Sequence, residues 1–425
     1  MVVALLNSSE GMITMLVPPY MADLGFAPTA VGLLVASYGV ACLASRLPAG
    51  ALYRGQRARG LLCSAMLAVA IISVAYPLAA ESWSLLLVRA MHGLAYGLAT
   101  TVNLALFIDL LPPAAPHSHA MGYFMAALGG GFTVGQAIGG FTADWYGFGW
   151  AFVLAAFPPL LALTCVDAPP PRAERRTPEA AGSTGPRAER RTQAAIALSG
   201  PRAERRTSVA IAPSSPRAGW QRTVSALTAP GIPAIALLGF FLAFFLQLAS
   251  TFMPLFALAI GLGLAEIWLL RSAHSVCNSI TRPFSGSFIE RIGHARIGAA
   301  TLAFNAVALT VLPAMTTMLT LAALMVAIGL VRGIAMVANT VSLAADVDET
   351  RVSRGVATGI YYASRDLGGI AGPVAGGLVA GIAGIEDIFR IVPPLALGAY
   401  VVALAASARL APHRAPAPAG GGIAS

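Results

Sequence analysis

GFTVGQAIGG (Gly131–Gly140) and GGIAGPVAGG (Gly368–Gly377) carry glycines at matching positions and lie 237 residues apart. Both sit inside long apolar runs, where small residues four apart let helices approach closely. The same shift of 237 places Asp109 on Asp346, while a shift of 236 places Pro18 on Pro254, Arg46 on Arg282 and Gly50 on Gly286. The chain therefore reads as two copies of one helical unit.

Around these runs the whole chain is apolar. Of 425 residues, 57% are hydrophobic and 11% charged, and that polar fraction cannot coat a water-facing surface of this size. A span needs ~20 apolar residues, and breakers divide the sequence into runs near 2–22, 28–50, 61–80, 83–109, 120–142 and 149–167, then 231–257, 265–288, 297–313, 319–344, 355–380 and 388–408. The expected fold is all-α and polytopic, with twelve transmembrane helices in two pseudo-symmetric six-helix bundles, residues 1–167 and 231–410. The ~10-residue alternation of a transmembrane β-barrel is absent. The start of the chain lacks a signal peptide's basic region and cleavage site, so it reads as the first span.

Charge sets the expected orientation. All 27 cationic side chains are arginine, and 20 of the 27 fall in loops or tails on one side of such a bundle. The positive-inside rule puts both termini and the central loop in the cytoplasm and the protein in the inner (plasma) membrane. The net charge of +9 is thus topology, not a nucleic-acid face. Residues 168–230 form a cytoplasmic linker with three PRAERRT copies, at Pro171–Thr177, Pro186–Thr192 and Pro201–Thr207. Too little apolar surface is present there to fold, so the linker reads as largely disordered, and residues 411–425 read as a cytoplasmic tail.

Function is read from polar residues inside the apolar runs. Glu10, in Asn7-Ser8-Ser9-Glu10-Gly11, falls near mid-membrane, where a carboxylate must be protonated, paired or open to a cavity. Without lysine, a titrating proton carrier must be a carboxylate or histidine. Arg46 and Arg282 occupy matching places in the second and eighth spans, and duplication would bring them toward one central cavity as binders of an anionic group. Arg271, His274, Asn278 and Arg282 recur at spacings of three or four and form one polar stripe of the eighth span. With Gln247 they make the candidate substrate-binding set. Arg365 and Asp366 point about 100° apart and should each pair with another helix; Asp366 is a further proton-coupling candidate. The four cysteines read as helix filler, and His117 and His119 lack the neighbours a metal site needs, so no metal and no cofactor are expected.

Several motifs resemble those of the major facilitator superfamily across both halves. Gly286-Ser287-Phe288-Ile289-Glu290-Arg291-Ile292-Gly293-His294-Ala295-Arg296 is similar to the family's G-x-L-x-D-R-x-G-x-R loop, with Glu for Asp. Its first-half counterpart, from Gly50 to Arg59, has Arg54 at the acidic position. Arg89-Ala90-Met91-His92-Gly93 resembles the family's fourth-helix R-x-x-x-G, whose arginine is associated with proton coupling. Gly368–Gly377 matches the G-x-x-x-G-P-x-x-G-G of the family's exporters, although they carry it in the fifth helix; here the fifth span has Gln136 in place of proline.

The resemblance implies a secondary transporter, monomeric and not an enzyme, that sits in the lipid bilayer and works by alternating access, exchanging protons for a small-molecule substrate. Glu10, Arg89 and Asp366 would couple protons, and Gly50, Gly286, Glu290, Arg291, Gly372 and Pro373 would form the gates. Export of a small organic compound, such as a drug or siderophore-like metabolite, by proton antiport is the first expectation. Proton-linked uptake of a small organic or inorganic anion is the alternative. A non-transporting sensor or assembly protein is an alternative of another class.

Overall fold

A computed structural model describes residues 1–52, 57–110, 117–166, 231–345 and 354–410. The linker, the tail, the loop at residues 53–56 and the surroundings of Gly50 lie outside the described residues. All regular elements described are helical, as lipid demands of a chain that must satisfy its own backbone. In order they are α1 (Val2–Asp23), α2 (Pro28–Leu52), α3 (Ala58–Ala75), α4 (Ser82–Leu110), α5 (His117–Ala155) and α6 (Phe157–Leu163), then α7 (Ile232–Ala259), α8 (Leu264–Ile280), α9 (Ser285–Ile292), α10 (His294–Val311), α11 (Met318–Ala345), α12 (Arg354–Ala383) and α13 (Ile385–Leu410).

Each of the twelve expected runs coincides with helix, with two corrections. The fifth run does not end at 142: helix continues to Gly147, whose φ of 82° breaks α5 into two limbs, the second leading into α6. The eighth run is not continuous to 288. It stops at Ile280, turns through a 3₁₀ segment at Arg282–Phe284, and resumes as α9, because Pro283 fixes φ and donates no N–H. Among the described residues nine helical stretches are long and apolar enough to cross a membrane.

α1–α6 pack on one another, as do α7–α13. The chain enters α1 on what we call the terminal face; the turns after α1, α3 and the first limb of α5 lie on the far face. The far-face turns obey the duplication. Gly25, Gly147, Gly261 and Gly384 all have φ between 81° and 96°, so each reversal uses a conformation that side chains with a Cβ disfavour. The other two turns are 3₁₀ segments with proline, Tyr76–Leu78 and Leu312–Ala314. Trp83, Trp145, Tyr146 and Trp150 stand exposed near this face, as an aromatic belt at a membrane interface would.

The glycine runs explain how the bundles meet. In α5, a Cβ on Gly131, Gly135 or Gly139 would strike α1 at Ala4, Ser8 or Met12, while one on Gly140 would strike Trp268 of α8. In α12, Gly368, Gly372 and Gly376 face α7 at Phe240, Phe244 and Phe252, while Gly377 faces Thr29 of α2. Each run thus has one seam inside its own bundle and one against the other bundle. The α2–α12 seam includes the Pro373 carbonyl, which a Cβ on Gly32 would strike.

Candidate functional site

Two polar clusters lie within the helices, one in each bundle. The first centres on Glu10, which α1 carries into the interior at 5% exposure. Thr14, one turn on, donates from Oγ1 to Glu10 Oε1 at 2.9 Å. Glu10 Oε2 lies 3.5 Å from His92 Nε2, and neither atom has a hydrogen-bond partner. His92 Nδ1 is 3.1 Å from the Tyr76 hydroxyl, and Arg89 donates from Nη1 to that hydroxyl at 3.3 Å. The Arg89 guanidinium also lies over the Tyr38 ring, 4.5 Å from its centroid, a placement that favours a cation. Glu10, His92, Tyr76 and Arg89 therefore form one continuous file of polar groups.

The R-x-x-x-G motif builds this file. Arg89 and His92 share a face of α4 at a spacing of three, and Gly93 and Gly97 let α4 lie against α2, where a Cβ would strike Tyr38 and Cys42. Sequence reasoning selected Glu10 and Arg89 but passed over His92, Tyr76 and Tyr38. His92 carried a usable signal, its spacing from Arg89. The tyrosines carried none, since they enter from other helices.

The second cluster is cationic. Arg271, buried in α8, donates from Nη1 to the Ser250 carbonyl at 2.9 Å and keeps Nε without a partner. Arg282 sits against Gly129 of α5, and its Nε is also without one. Arg332 of α11 is acted on by Arg365, Arg282 and Arg271, all cations. Arg365 extends past Gly239 of α7 and lies 5.7 Å from the centroid of the Tyr361 ring. Arg332 and Arg365 line a cleft with Asn305, Asn339 and Tyr361. Arg332 and this cleft were not anticipated from the sequence.

Arg46 and Arg282 make different contacts. Arg46 reaches across the bundles to Asp366 of α12, with Nη1 to Oδ2 at 3.1 Å, whereas Arg282 stays among the other arginines. Duplication aligned the two positions, but only one of them faces a carboxylate. Asp366 thus pairs with another helix.

The α8 stripe is also divided. His274 Nδ1 turns to the Met325 carbonyl of α11 at 3.4 Å, and Asn278 keeps a buried Oδ1 without a partner. Ser275, between them in sequence, donates to Gln136 Oε1 of the other bundle at 2.8 Å. Gln136, which departs from the proline of the motif, is therefore an inter-bundle acceptor. Gln247 is half-buried on α7 and does not line the arginine cleft.

Among the gate residues, Gly372 and Pro373 lie in the α12 seams, and Gly286, Glu290 and Arg291 are exposed on α9. Gly293, which ends that motif helix, has φ of 90°. Inter-bundle contacts run from the far face, where the Ala265 N–H donates to Asp144 Oδ1 at 3.2 Å, down to Arg46 and Asp366. Among the described residues no group of three or more His, Cys, Asp or Glu is placed to hold a metal.

Comparison with known proteins agrees with this architecture. A family model described as Major Facilitator Superfamily matches residues 1–270 and 235–424. Among solved structures, a bacterial homolog of the human lysosomal transporter Spinster, inward-facing and unoccupied, superposes with a TM-score of 0.69 at 15% identity, covering 96% of this chain and 94% of that one. The nucleoside transporter NupG superposes at 0.68 and 15% identity, covering 97% and 98%. No curated protein sequence matches significantly. These structural likenesses concern the fold; the family match covers both halves, and the chain belongs to the major facilitator superfamily.

Proposed function

We propose that this transporter is proton-coupled, that Glu10 carries the proton, and that its preferred direction is export of a small organic compound by antiport. One observation carries the proposal: Glu10 is buried with one carboxylate oxygen lacking a hydrogen bond, at the end of a file through His92 and Tyr76 to Arg89. A carboxylate so placed costs less when neutral or when a charged partner approaches, so its proton occupancy can follow the position of the helices around it.

With His92 neutral and its proton on Nε2, Arg89 donates to Tyr76 and Tyr76 to His92, while the His92 Nε2–H faces Glu10 Oε2 across 3.5 Å. The proton path then opens toward the far face, near which Arg89 enters from the start of α4. The α5–α8 and α2–α12 seams, made of small residues, are where the bundles would rock. The helix-12 glycine–proline run supports export through its resemblance to exporter motifs. The arginine distribution in the sequence supports cytoplasmic termini and an inner-membrane location, and the transport unit we propose is the monomer.

A second direction is favoured by a separate observation. The cationic second cluster suits proton-linked uptake of an anion, since a proton entering with it offsets its charge. Everted vesicles with an imposed proton gradient decide between the two: accumulation of substrate inside them marks an exporter, whereas accumulation only in right-side-out vesicles with acid outside marks uptake. Flux indifferent to the gradient in both would overturn proton coupling.

A further inference from the structure

We infer that the cleft between α7, α10, α11 and α12 binds an oxyanion group, a carboxylate or phosphate, of the transported compound, an assignment that rests on the transporter function proposed above. Its walls supply Arg332, Arg365, Asn305, Asn339 and Tyr361. The site lies wholly in the second bundle, apart from the Glu10 file.

Three features point to an anion. First, the charges acting on Arg332 are Arg365, Arg282 and Arg271, so like charges are gathered inside a low-dielectric region. The guanidinium groups of Arg332 and Arg365, both on the cleft wall, repel one another, and bound negative charge relieves the repulsion. The carboxylate next in sequence to Arg365, Asp366, is turned away and engaged by Arg46. Second, a donor on the cleft wall remains to be used. Tyr361 accepts from Asn339 Nδ2 at 3.1 Å and keeps its own O–H to give. Third, planar forked donors match the oxygen geometry of carboxylate and phosphate better than that of a spherical ion.

Depth and size refine the assignment. Arg332 lies roughly 21 Å from the start of α11 at 1.5 Å per residue, which is the middle of that 28-residue helix. The enclosed space is about 30 Å³, room for a small head group only. Arg332 and Arg365 are half-buried rather than sealed, so the remainder of a larger molecule would extend out through the mouth of the cleft.

The test uses purified full-length protein in detergent. Its thermal midpoint is followed while sodium phosphate, acetate or citrate is titrated against sodium chloride at matched ionic strength. At least one oxyanion should raise the midpoint saturably where chloride does not. Arg332→Gln and Arg365→Gln should each raise the half-saturating concentration at least tenfold, and Arg332→Lys should fall between, since it keeps the charge and loses the fork. Should Arg332→Gln not fold, Arg365→Gln at the mouth gives the same readout.

The assignment is overturned if no oxyanion acts beyond chloride, or if the shift is unchanged in both glutamine variants. Loss of the shift alongside gradient-driven flux refutes the cargo class alone. A shift that depends on Arg332 and Arg365, in a protein whose flux ignores the proton gradient, refutes proton coupling alone.

Discussion

Arg46 on α2 and Asp366 on α12 join the two bundles through an ion pair of 3.1 Å, with 36% and 23% of their side chains exposed. Farther toward the far face, the same two helices touch through small residues, Gly32 at Pro373 and Thr29 at Gly377. The pair thus adds an ion pair to a seam made elsewhere by shape.

Because the Arg46–Asp366 pair is partly open to water, its removal should shift the balance of bundle arrangements modestly, by about 0.5–1 kcal/mol. Arg46→Gln and Asp366→Asn should each change transport rate by about two- to fivefold. The charge-swapped double variant should recover part of the loss. Initial rates in reconstituted vesicles measure this, and additive losses without recovery would rule out a direct coupling.

Glu10→Gln removes the titrating carboxyl but keeps its shape. Gradient-driven accumulation should fall to background, while exchange of labelled for unlabelled substrate at equal pH persists. The dependence of exchange on pH should flatten as well. Full gradient-driven accumulation by the variant would remove Glu10 from the mechanism.

Tyr76→Phe cuts the file between Arg89 and His92 while leaving the ring that stacks on Phe152, 4.9 Å between centroids. His92→Gln breaks the next link. Each should slow proton-driven transport about tenfold with little effect on substrate affinity, as expected for a proton path rather than a binding contact. Rates and half-saturation constants in vesicles separate the two effects.

Gln136 and Ser275 meet across the α5–α8 seam. Cysteines at both positions in a background without the four native cysteines should cross-link on mild oxidation and stop transport. A reductant should restore it. Transport that continues in the cross-linked protein would show that this seam does not open during the cycle.

Gly135→Ala places a methyl on the Ser8 carbonyl, whereas Gly130→Ala places one in open space. The first should lower stability by about 1–3 kcal/mol, the range for overpacking a tight contact. The second should be neutral or slightly stabilising in a helix interior. Melting of the purified variants gives the comparison.

The sequence by itself determined the helical class, the twelve apolar runs and the duplication, because each depends on hydropathy over ~20 residues or on self-similarity at a fixed shift. It also singled out Glu10, since a charge within an apolar run is visible without knowing its neighbours, and Arg89 through its resemblance to the fourth-helix motif. Even the far-face turns were encoded in duplicate, at Gly25 and Gly261 and at Gly147 and Gly384.

Only the tertiary structure decided which polar groups meet. Positions aligned by the duplication differ in their surroundings, Arg46 lying within α2 and Arg282 in a 3₁₀ turn, so Arg46 met Asp366 while Arg282 came under the same field as Arg332, Arg365 and Arg271. His92 became the contact to Glu10, and Gln136 became a bond to the other bundle, because α4 meets α1 and α5 meets α8. Helical periodicity fixes the face a residue occupies; what that face meets depends on how separate helices pack, and no local pattern of residues contains it.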